Sequence, residues 1–396
     1  MARVLTLFLK LLRALHTRTC SLLSGEGNEV KACIERPGYA RWSVVTVWIE
    51  AQLLRVTERL PISYIEKIQV AKLRTILAAR LQTPVGASSA VLREFSHIER
   101  MKDLERLPIL TRDTVRNNFL NKGILNESIP SRRRVLARTS GSTGQPLSFY
   151  LDTLSICNRR ARFERAMRWI TRGSRAQFIR AWGAVPLGFF KYTRARFFTL
   201  KSTQNINISV DLFVRFLRGV CNRTTLPIVI DTFPSNTMRL ATVVASSAVI
   251  DPKRIMGFFC GGEALLPGER KYVEEIFHAP IFSYYASTEF EIIAQECGEA
   301  PEGAFHINVE YFYVEIVDHD DTPVSRGNAG RIIVTSLENE VTPFVRYDTG
   351  DIGRLLVEKC ACGRTLPLLL VEGRKAHLIC LPNGKTFTQF SVSSVF

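Results

Sequence analysis

Arg254-Ile255-Met256-Gly257-Phe258-Phe259-Cys260-Gly261-Gly262-Glu263 reads as a buried strand that ends on a glycine turn. Two similar runs precede it, Gln177-Phe178-Ile179-Arg180-Ala181-Trp182 and Leu226-Pro227-Ile228-Val229-Ile230-Asp231, each followed by a turn or a helix start. Short apolar strands alternating with helices predict a layered α/β sandwich around a largely parallel sheet, with ligand sites at the carboxyl ends of the strands. After Phe305 the character changes. Tyr311-Phe312-Tyr313-Val314-Glu315-Ile316-Val317 and Gly330-Arg331-Ile332-Ile333-Val334-Thr335-Ser336 predict two strands of a small antiparallel part, joined by a polar loop with Pro323 and Gly327.

Upstream, Trp42 to Arg80 predicts helix broken at Pro61, with Ile65, Ile68, Val70, Leu73 and Ile76 at roughly helical intervals. Thr111 is the predicted cap of a short helix after Leu110. Ser155 to Arg172 predicts a basic helix carrying Arg159, Arg160, Arg162, Arg165, Arg168 and Arg172. It reads as a solvated face rather than a nucleic-acid surface, because no recognition motif or aromatic platform accompanies it. Met1 to Leu23 mixes leucines with Arg3, Lys10, Arg13 and Arg18, so its charges interrupt any membrane span. An amphipathic helix docked on the protein's own body is the expectation there, and contact with a membrane surface is the other reading.

At 396 residues and 46% hydrophobic the chain can bury a large core, and a net charge of +16 points to anionic partners such as nucleotides, coenzyme A, nucleic acid or an acidic membrane. The nine cysteines are scattered apart from Cys360-Ala361-Cys362, which argues for a reduced, cytoplasmic protein and against a disulfide framework.

Four clusters carry chemistry. Arg138 to Pro146, with Thr139-Ser140-Gly141-Ser142-Thr143-Gly144 at its centre, follows the β-prone run Arg134 to Ala137 and reads as a phosphate loop, in which glycines let N–H groups converge and hydroxyls add donors. It is not a Walker loop, because Gln145 stands where that motif needs lysine. Tyr284-Tyr285-Ala286-Ser287-Thr288-Glu289 offers rings for a base, hydroxyls for a phosphate and a carboxylate for Mg²⁺. Tyr347-Asp348-Thr349-Gly350-Asp351 holds a carboxylate at a glycine turn, suited to ribose hydroxyls, and Gly373-Arg374 follows it. Cys297, His306, Cys360 and Cys362 would satisfy tetrahedral Zn²⁺, or else are buried thiols beside a hydrogen-bonded core histidine. Plainer readings also stand for Glu263 as a helix cap, Asp351 as a turn-closing residue and Tyr284 as core.

Taken in order, these pieces resemble the adenylate-forming superfamily of acyl- and aryl-coenzyme A ligases. Within it the chain is most similar to the phenylacetate-coenzyme A ligase family and its branch associated with capsular polysaccharide biosynthesis. The matching pieces are Thr139 to Pro146, Asp231 to Ser235, Gly261 to Glu263, Tyr285 to Glu289, Tyr347 to Asp351, Cys360 to Pro367 and Glu372 to Arg374. The resemblance implies that Thr139 to Gly144 hold the β- and γ-phosphates of ATP, that Tyr285 packs on adenine and that Gly262 and Glu263 line its other side. It further implies that Thr288 touches the α-phosphate, Glu289 binds Mg²⁺, Asp351 binds the ribose, and Arg374 the ribose or phosphate near a hinge. A carboxylate would attack the α-phosphorus and release pyrophosphate, with coenzyme A, a carrier-protein thiol, an amine or a sugar hydroxyl as acceptor. An inactive AMP-binding scaffold is the alternative expectation.

The expected division is a helical segment over 1–60, the large domain over 61–373 and a hinge with a short remnant over 374–396. Trp182 to Phe190, Phe233, Gly261 and Tyr284 are the expected lining of a pocket for an aromatic or medium-chain carboxylate. Ala286 stands where the family usually has glycine, and Ala376 where a hinge acid is expected. Only 22 residues follow Arg374, where such enzymes usually continue into a mobile domain with a catalytic lysine. Lys385 is not assigned that role, so a mobile domain acting in trans joins the expected partners, with a homodimer left open.

Overall fold

The computed structural model describes residues 37–94, 98–139, 146–181, 197–199, 210–246, 250–374, 379–380 and 386–387. Eleven strands share one mixed sheet. In chain order they are β3 (Gln177–Ala181), β4 (Phe197–Thr199), β5 (Ile228–Thr232), β6 (Ile255–Gly261), β7 (Ile281–Ser287), β8 (Glu291–Gln295), β9 (Ala304–Ile307), β10 (Phe312–Val317), β11 (Gly330–Ser336), β12 (Tyr347–Leu355) and β13 (Leu368–Arg374). A separate hairpin precedes them, β1 (Arg134–Arg138) with β2 (Ser148–Asp152). Among the described residues the α-helices of six residues or more are α1 (Pro37–Thr57), α2 (Ile62–Leu81), α3 (Arg112–Asn117), α4 (Thr153–Thr171), α5 (Val210–Cys221), α6 (Pro234–Ser246) and α7 (Pro267–Phe277).

Across the sheet the order is β10-β11-β12-β13-β9-β8-β7-β6-β5-β3-β4. The strands from β4 to β7 run parallel, as the alternation of strands and helices predicts. The antiparallel part is larger than the expected hairpin and continues the same sheet. Only Thr288, Glu289 and Phe290 separate β7 from β8, so the chain reverses directly and needs no crossover helix.

Strand β5 is buried at every residue, as suits a parallel strand covered on both faces. Side-chain alternation sends Ile228 and Ile230 against α5, α6 and α7, with Phe213, Leu217, Leu240 and Val273. Val229 faces the other way, towards Phe163, Met167 and Ile170 of α4. Pro61 stands immediately before α2, and Thr111 caps α3 by accepting a hydrogen bond from the Thr114 N–H at 3.2 Å.

The basic helix corrects the sequence reading. Helix α4 is not a solvated face: Arg162 is wholly buried and Arg165 is 2% exposed. Arg162 donates to both carboxylate oxygens of Glu338 at 2.7 and 3.0 Å, and Arg165 pairs with Glu310 while donating to the carbonyl of Leu54 in α1 at 3.0 Å. Arg168 pairs with Glu58 at 2.8 Å. These acids lie 176, 145 and 110 residues away from their partners, so no pattern within the helix reveals them. The same contacts fasten α1 to α4. The amphipathic segment Met1 to Leu23 lies outside the described residues, and no helix among those described is long and apolar enough to cross a membrane.

Removing one partner of a buried pair strands the other charge, at a cost of about 3–5 kcal/mol. Arg162→Met is expected to lower stability by that amount in urea unfolding, with most of it recovered in Arg162→Met/Glu338→Met.

Candidate functional site

The first cluster opens at the end of β1. Arg138 pairs with Ser148 across the β1–β2 hairpin, and the Thr139 N–H donates to the Leu147 carbonyl at 2.9 Å. The Thr139 hydroxyl oxygen accepts from the Leu147 N–H at 2.8 Å and from Nη2 of Arg112 at 3.1 Å. Thr139 is therefore the clasp of a hairpin loop rather than the start of a strand-to-helix turn. Ser140, Gly141, Ser142, Thr143 and Gly144 lie outside the described residues.

The second cluster occupies the carboxyl end of β7. Strand alternation turns its two tyrosines to opposite faces. Tyr284 goes into the core, stacked on Phe259 with ring centres 4.1 Å apart and its hydroxyl donating to Asp231 at 3.2 Å. Its ring leaves no room for a methyl at Gly261, where an added Cβ would stand 2.5 Å away. Tyr285 points the other way and donates to Oδ2 of Asp351 at 2.6 Å. Gly262 and Glu263 follow the neighbouring strand β6, with Gly262 in the left-handed region at φ 82° and Glu263 accepting from the Ser235 N–H at 3.0 Å. Glu263 thus caps the first turn of α6 from a distance, and not the helix that follows it in sequence.

Glu289 is buried, and its Oε1 accepts from the Tyr347 hydroxyl at 3.0 Å, while Thr288 beside it is exposed. Arginines of α4 grip this turn from below. Arg159 donates to the carbonyls of Thr288 and Glu289, and Arg162 to that of Phe290 at 2.9 Å.

Strand β12 ties these groups together. Tyr347 opens it, and Asp351 lies four residues on, opposite Arg374 of β13 in register, with 3.5 Å between Asp351 Oδ1 and Arg374 Nε. Gly350, at φ 77°, allows the intervening turn. Burial pushes the Asp351 carboxyl up from its ordinary range, opposed by the Tyr285 hydroxyl and the Arg374 charge. Leu110 joins the Tyr347 end of β12 through Leu110 N–H to Arg346 O at 2.8 Å and Asp348 N–H to Leu110 O at 3.0 Å. That bridge sets Arg112 of α3 beside Thr139. The structure thus gathers Thr139, Glu289, Tyr285, Asp351 and Arg374 through Arg112 and Tyr347, and Tyr284 stands apart from them. Arg112 and Arg159 escaped the sequence reading, the first behind a helix cap and the second within an apparently solvated helix. In the expected acyl pocket, Trp182 to Phe190 lie outside the described residues.

A third cluster lies beyond β8. The donor atoms of Cys297, His306, Cys360 and Cys362 all fall within 4.8 Å of one another. Cys297 Sγ and Cys360 Sγ are 3.5 Å apart, and Cys362 Sγ is 3.3 Å from His306 Nε2. Thiolates on tetrahedral zinc stand ~3.8 Å apart for a Zn–S length of about 2.3 Å, so the spacing fits. His306 Nδ1 is 3.1 Å from the Leu366 carbonyl, which holds the ring with Nε2 towards the thiols. Burial pushes the His306 pKa down to about 4, which keeps the imidazole neutral. Lys385 lies outside the described residues, between the paired segments Ile379–Cys380 and Thr386–Phe387.

No family model matches the chain. It is 35% identical over 108 residues to the phenylacetate-coenzyme A ligase of Thermus thermophilus, covering 26% of this chain and 24% of that protein. The Escherichia coli phenylacetate-coenzyme A ligase is also 35% identical, over 24% of this chain and 22% of the enzyme. Protein CapK of Staphylococcus aureus is 22% identical over 63% of this chain and 53% of its own length. The chain thus spans about a quarter of the length of the two ligases and about half of CapK. Among solved structures, 2-hydroxyisobutyryl-CoA ligase in its open conformation, in complex with 2-HIB-AMP and CoA, superposes with a TM-score of 0.68 at 17% identity, covering 84% of this chain and 80% of the other.

The chain has the adenylate-forming fold. Its local sequence resembles the phenylacetate-coenzyme A ligases, as the ordered motifs lead one to expect. Within this fold, the Tyr285–Asp351–Arg374 chain and the Tyr347–Glu289 pair meet at the carboxyl end of the parallel half-sheet.

Because burial raises the folded-state pKa of Asp351, ionising it costs stability as pH rises through that value, and Tyr285 reduces the cost. Tyr285→Phe is therefore expected to destabilise the fold by about 1–3 kcal/mol at pH 7. The loss should fade at acid pH, where Asp351 is protonated, and melting curves across pH check it.

Proposed function

We propose that this chain activates a carboxylate as an acyl-adenylate. An oxygen of the substrate carboxylate bonds to the α-phosphorus of ATP as the bond to the β-phosphate oxygen breaks, and the electron pair leaves with pyrophosphate. The observation that carries the reading is the convergence of Glu289–Tyr347 and Tyr285–Asp351–Arg374 at one end of the sheet. The likeness to phenylacetate-coenzyme A ligases supports it.

In this reading Tyr285 packs on adenine, Gly262 and Glu263 border it, and Asp351 accepts hydrogen bonds from the ribose with Arg374 at its edge. Thr139 and the Ser140 to Gly144 loop hold the outer phosphates, and Thr288 contacts the α-phosphate. A lone buried carboxylate fits Mg²⁺, which takes one or two carboxylates together with substrate phosphates, so Glu289 would hold that ion. The bound ion would neutralise phosphate charge. The protein's own share is alignment and charge neutralisation, the main demands of such a displacement. Tyr347 orients the carboxylate of Glu289, Arg159 holds its carbonyl and Arg162 that of Phe290.

An aromatic or medium-chain acid is the proposed substrate, and the thiol of coenzyme A or of a carrier protein the proposed acceptor. The likeness to CapK supports a place in polysaccharide biosynthesis as a further part of the proposal. Residues 61–373 form the adenylating body, on which α1 packs. Cys297, His306, Cys360 and Cys362 would hold a structural zinc that clamps the segment after β8 to the β12–β13 connection.

Pyrophosphate release by the purified chain with ATP, Mg²⁺ and a panel of aryl and fatty acids tests the reading. Release is expected with one acid class, and Glu289→Gln should lower it by about a hundredfold; release that ignores the added acid, or no release at all, refutes it. For the metal, about one equivalent of zinc per chain is expected by elemental analysis, with loss of metal and a lower melting temperature in Cys360→Ser.

A further inference from the structure

We propose that Arg112 contacts the β- and γ-phosphates of the bound nucleotide and stabilises the departing pyrophosphate. This rests on the acyl-adenylate reading and adds a cation to it from a helix that the motifs do not include. Arg112 lies on α3, which the Leu110–Tyr347 bridge fastens to β12. Its Nη2 donates to Thr139 Oγ1 at 3.1 Å, at the root of the hairpin loop. Its Nε is buried and has no hydrogen-bond partner. Its charge also reaches the Tyr347 phenol, whose hydroxyl holds Glu289.

The Nε atoms of Arg159, Arg162 and Arg346 are likewise buried without a partner, but the other guanidinium donors of these arginines are spent differently. Arg159 and Arg162 are committed to the carbonyls of Thr288, Glu289 and Phe290, and Arg162 also to Glu338. Arg346 is directed to the carbonyls of Glu105 and Leu107 and to Glu315. Arg112 forms no ion pair with a carboxylate among the described residues. A half-buried guanidinium with no carboxylate partner among the described residues, beside the Thr139 hydroxyl and with its charge felt by the Tyr347 phenol that holds Glu289, matches a polyphosphate chain. A nucleoside monophosphate would not extend to it.

Titration calorimetry of the full chain with Mg²⁺-ATP and with AMP tests this, comparing the wild type with Arg112→Gln and Arg112→Lys. Arg112→Gln should weaken ATP binding about tenfold and leave AMP binding unchanged, while Arg112→Lys, which keeps the charge, recovers part of the loss. Unchanged ATP affinity in Arg112→Gln overturns the assignment, and so does an equal loss for both nucleotides. If Arg112→Gln fails to fold, Arg112→Lys decides alone: a loss confined to ATP supports the contact, and any other result overturns it. A wild-type chain that binds neither nucleotide would refute the adenylate reading itself, an outcome distinct from failure of Arg112 alone.

Discussion

Arg162 of α4 is buried without access to water, gives both ends of its guanidinium to Glu338, and adds a hydrogen bond to the carbonyl of Phe290. A guanidinium enclosed in protein is tolerable only when its donors meet acceptors in good geometry. The pair therefore constrains three elements at once: α4, the β7–β8 turn and the segment after β11. Arg159, nearly one turn earlier, extends the grip to Thr288 and Glu289, and Arg165 extends it to α1. The backbone of the candidate site is thus held from beneath by arginines that are buried or, at Arg159, half-buried.

Above that foundation, β12 acts as a bridge. Its pairing with β11 slips by two residues between Asp348 and Ile352, so the strand bulges around Gly350. On either side of that bulge Tyr347 meets Glu289 of the β7–β8 turn and Asp351 meets Tyr285 of β7. The turn at Gly350 falls between them, and the β-bulge between β12 and β13 follows Asp351. Both carboxylates are buried and each accepts a tyrosine hydroxyl, an arrangement that orients an acid while leaving oxygens for a ligand. The cluster of Cys297, His306, Cys360 and Cys362 joins β8, β9 and the β12–β13 connection on the same half of the sheet.

Much of the fold was legible because it rests on local periodicity. The short apolar runs at β3, β5 and β6 announced parallel strands, and Pro61 and Thr111 marked helix boundaries at or next to where they fall. The size of the antiparallel half was not legible, because β8, β9, β12 and β13 carry too many polar and glycine residues to show clean alternation. In the site, Glu289 and Asp351 stood out as acids beside aromatic and glycine residues. Arg112 and Tyr347 gained their place only through a bridge spanning more than two hundred residues of sequence.

The amino-acid sequence alone determined the order of the motifs, the alternation of strands with helices and the chemistry available at each cluster, since these depend on neighbours along the chain. The tertiary structure decided which charges are buried and which groups meet. Helix α4 has the composition of a solvated surface, yet lies in the core because Glu58, Glu310 and Glu338 arrive from distant segments to neutralise it. Tyr284 and Tyr285, adjacent in sequence, part to opposite faces of β7, one into the core and one to Asp351, because strand pleating separates neighbours that sequence proximity puts together.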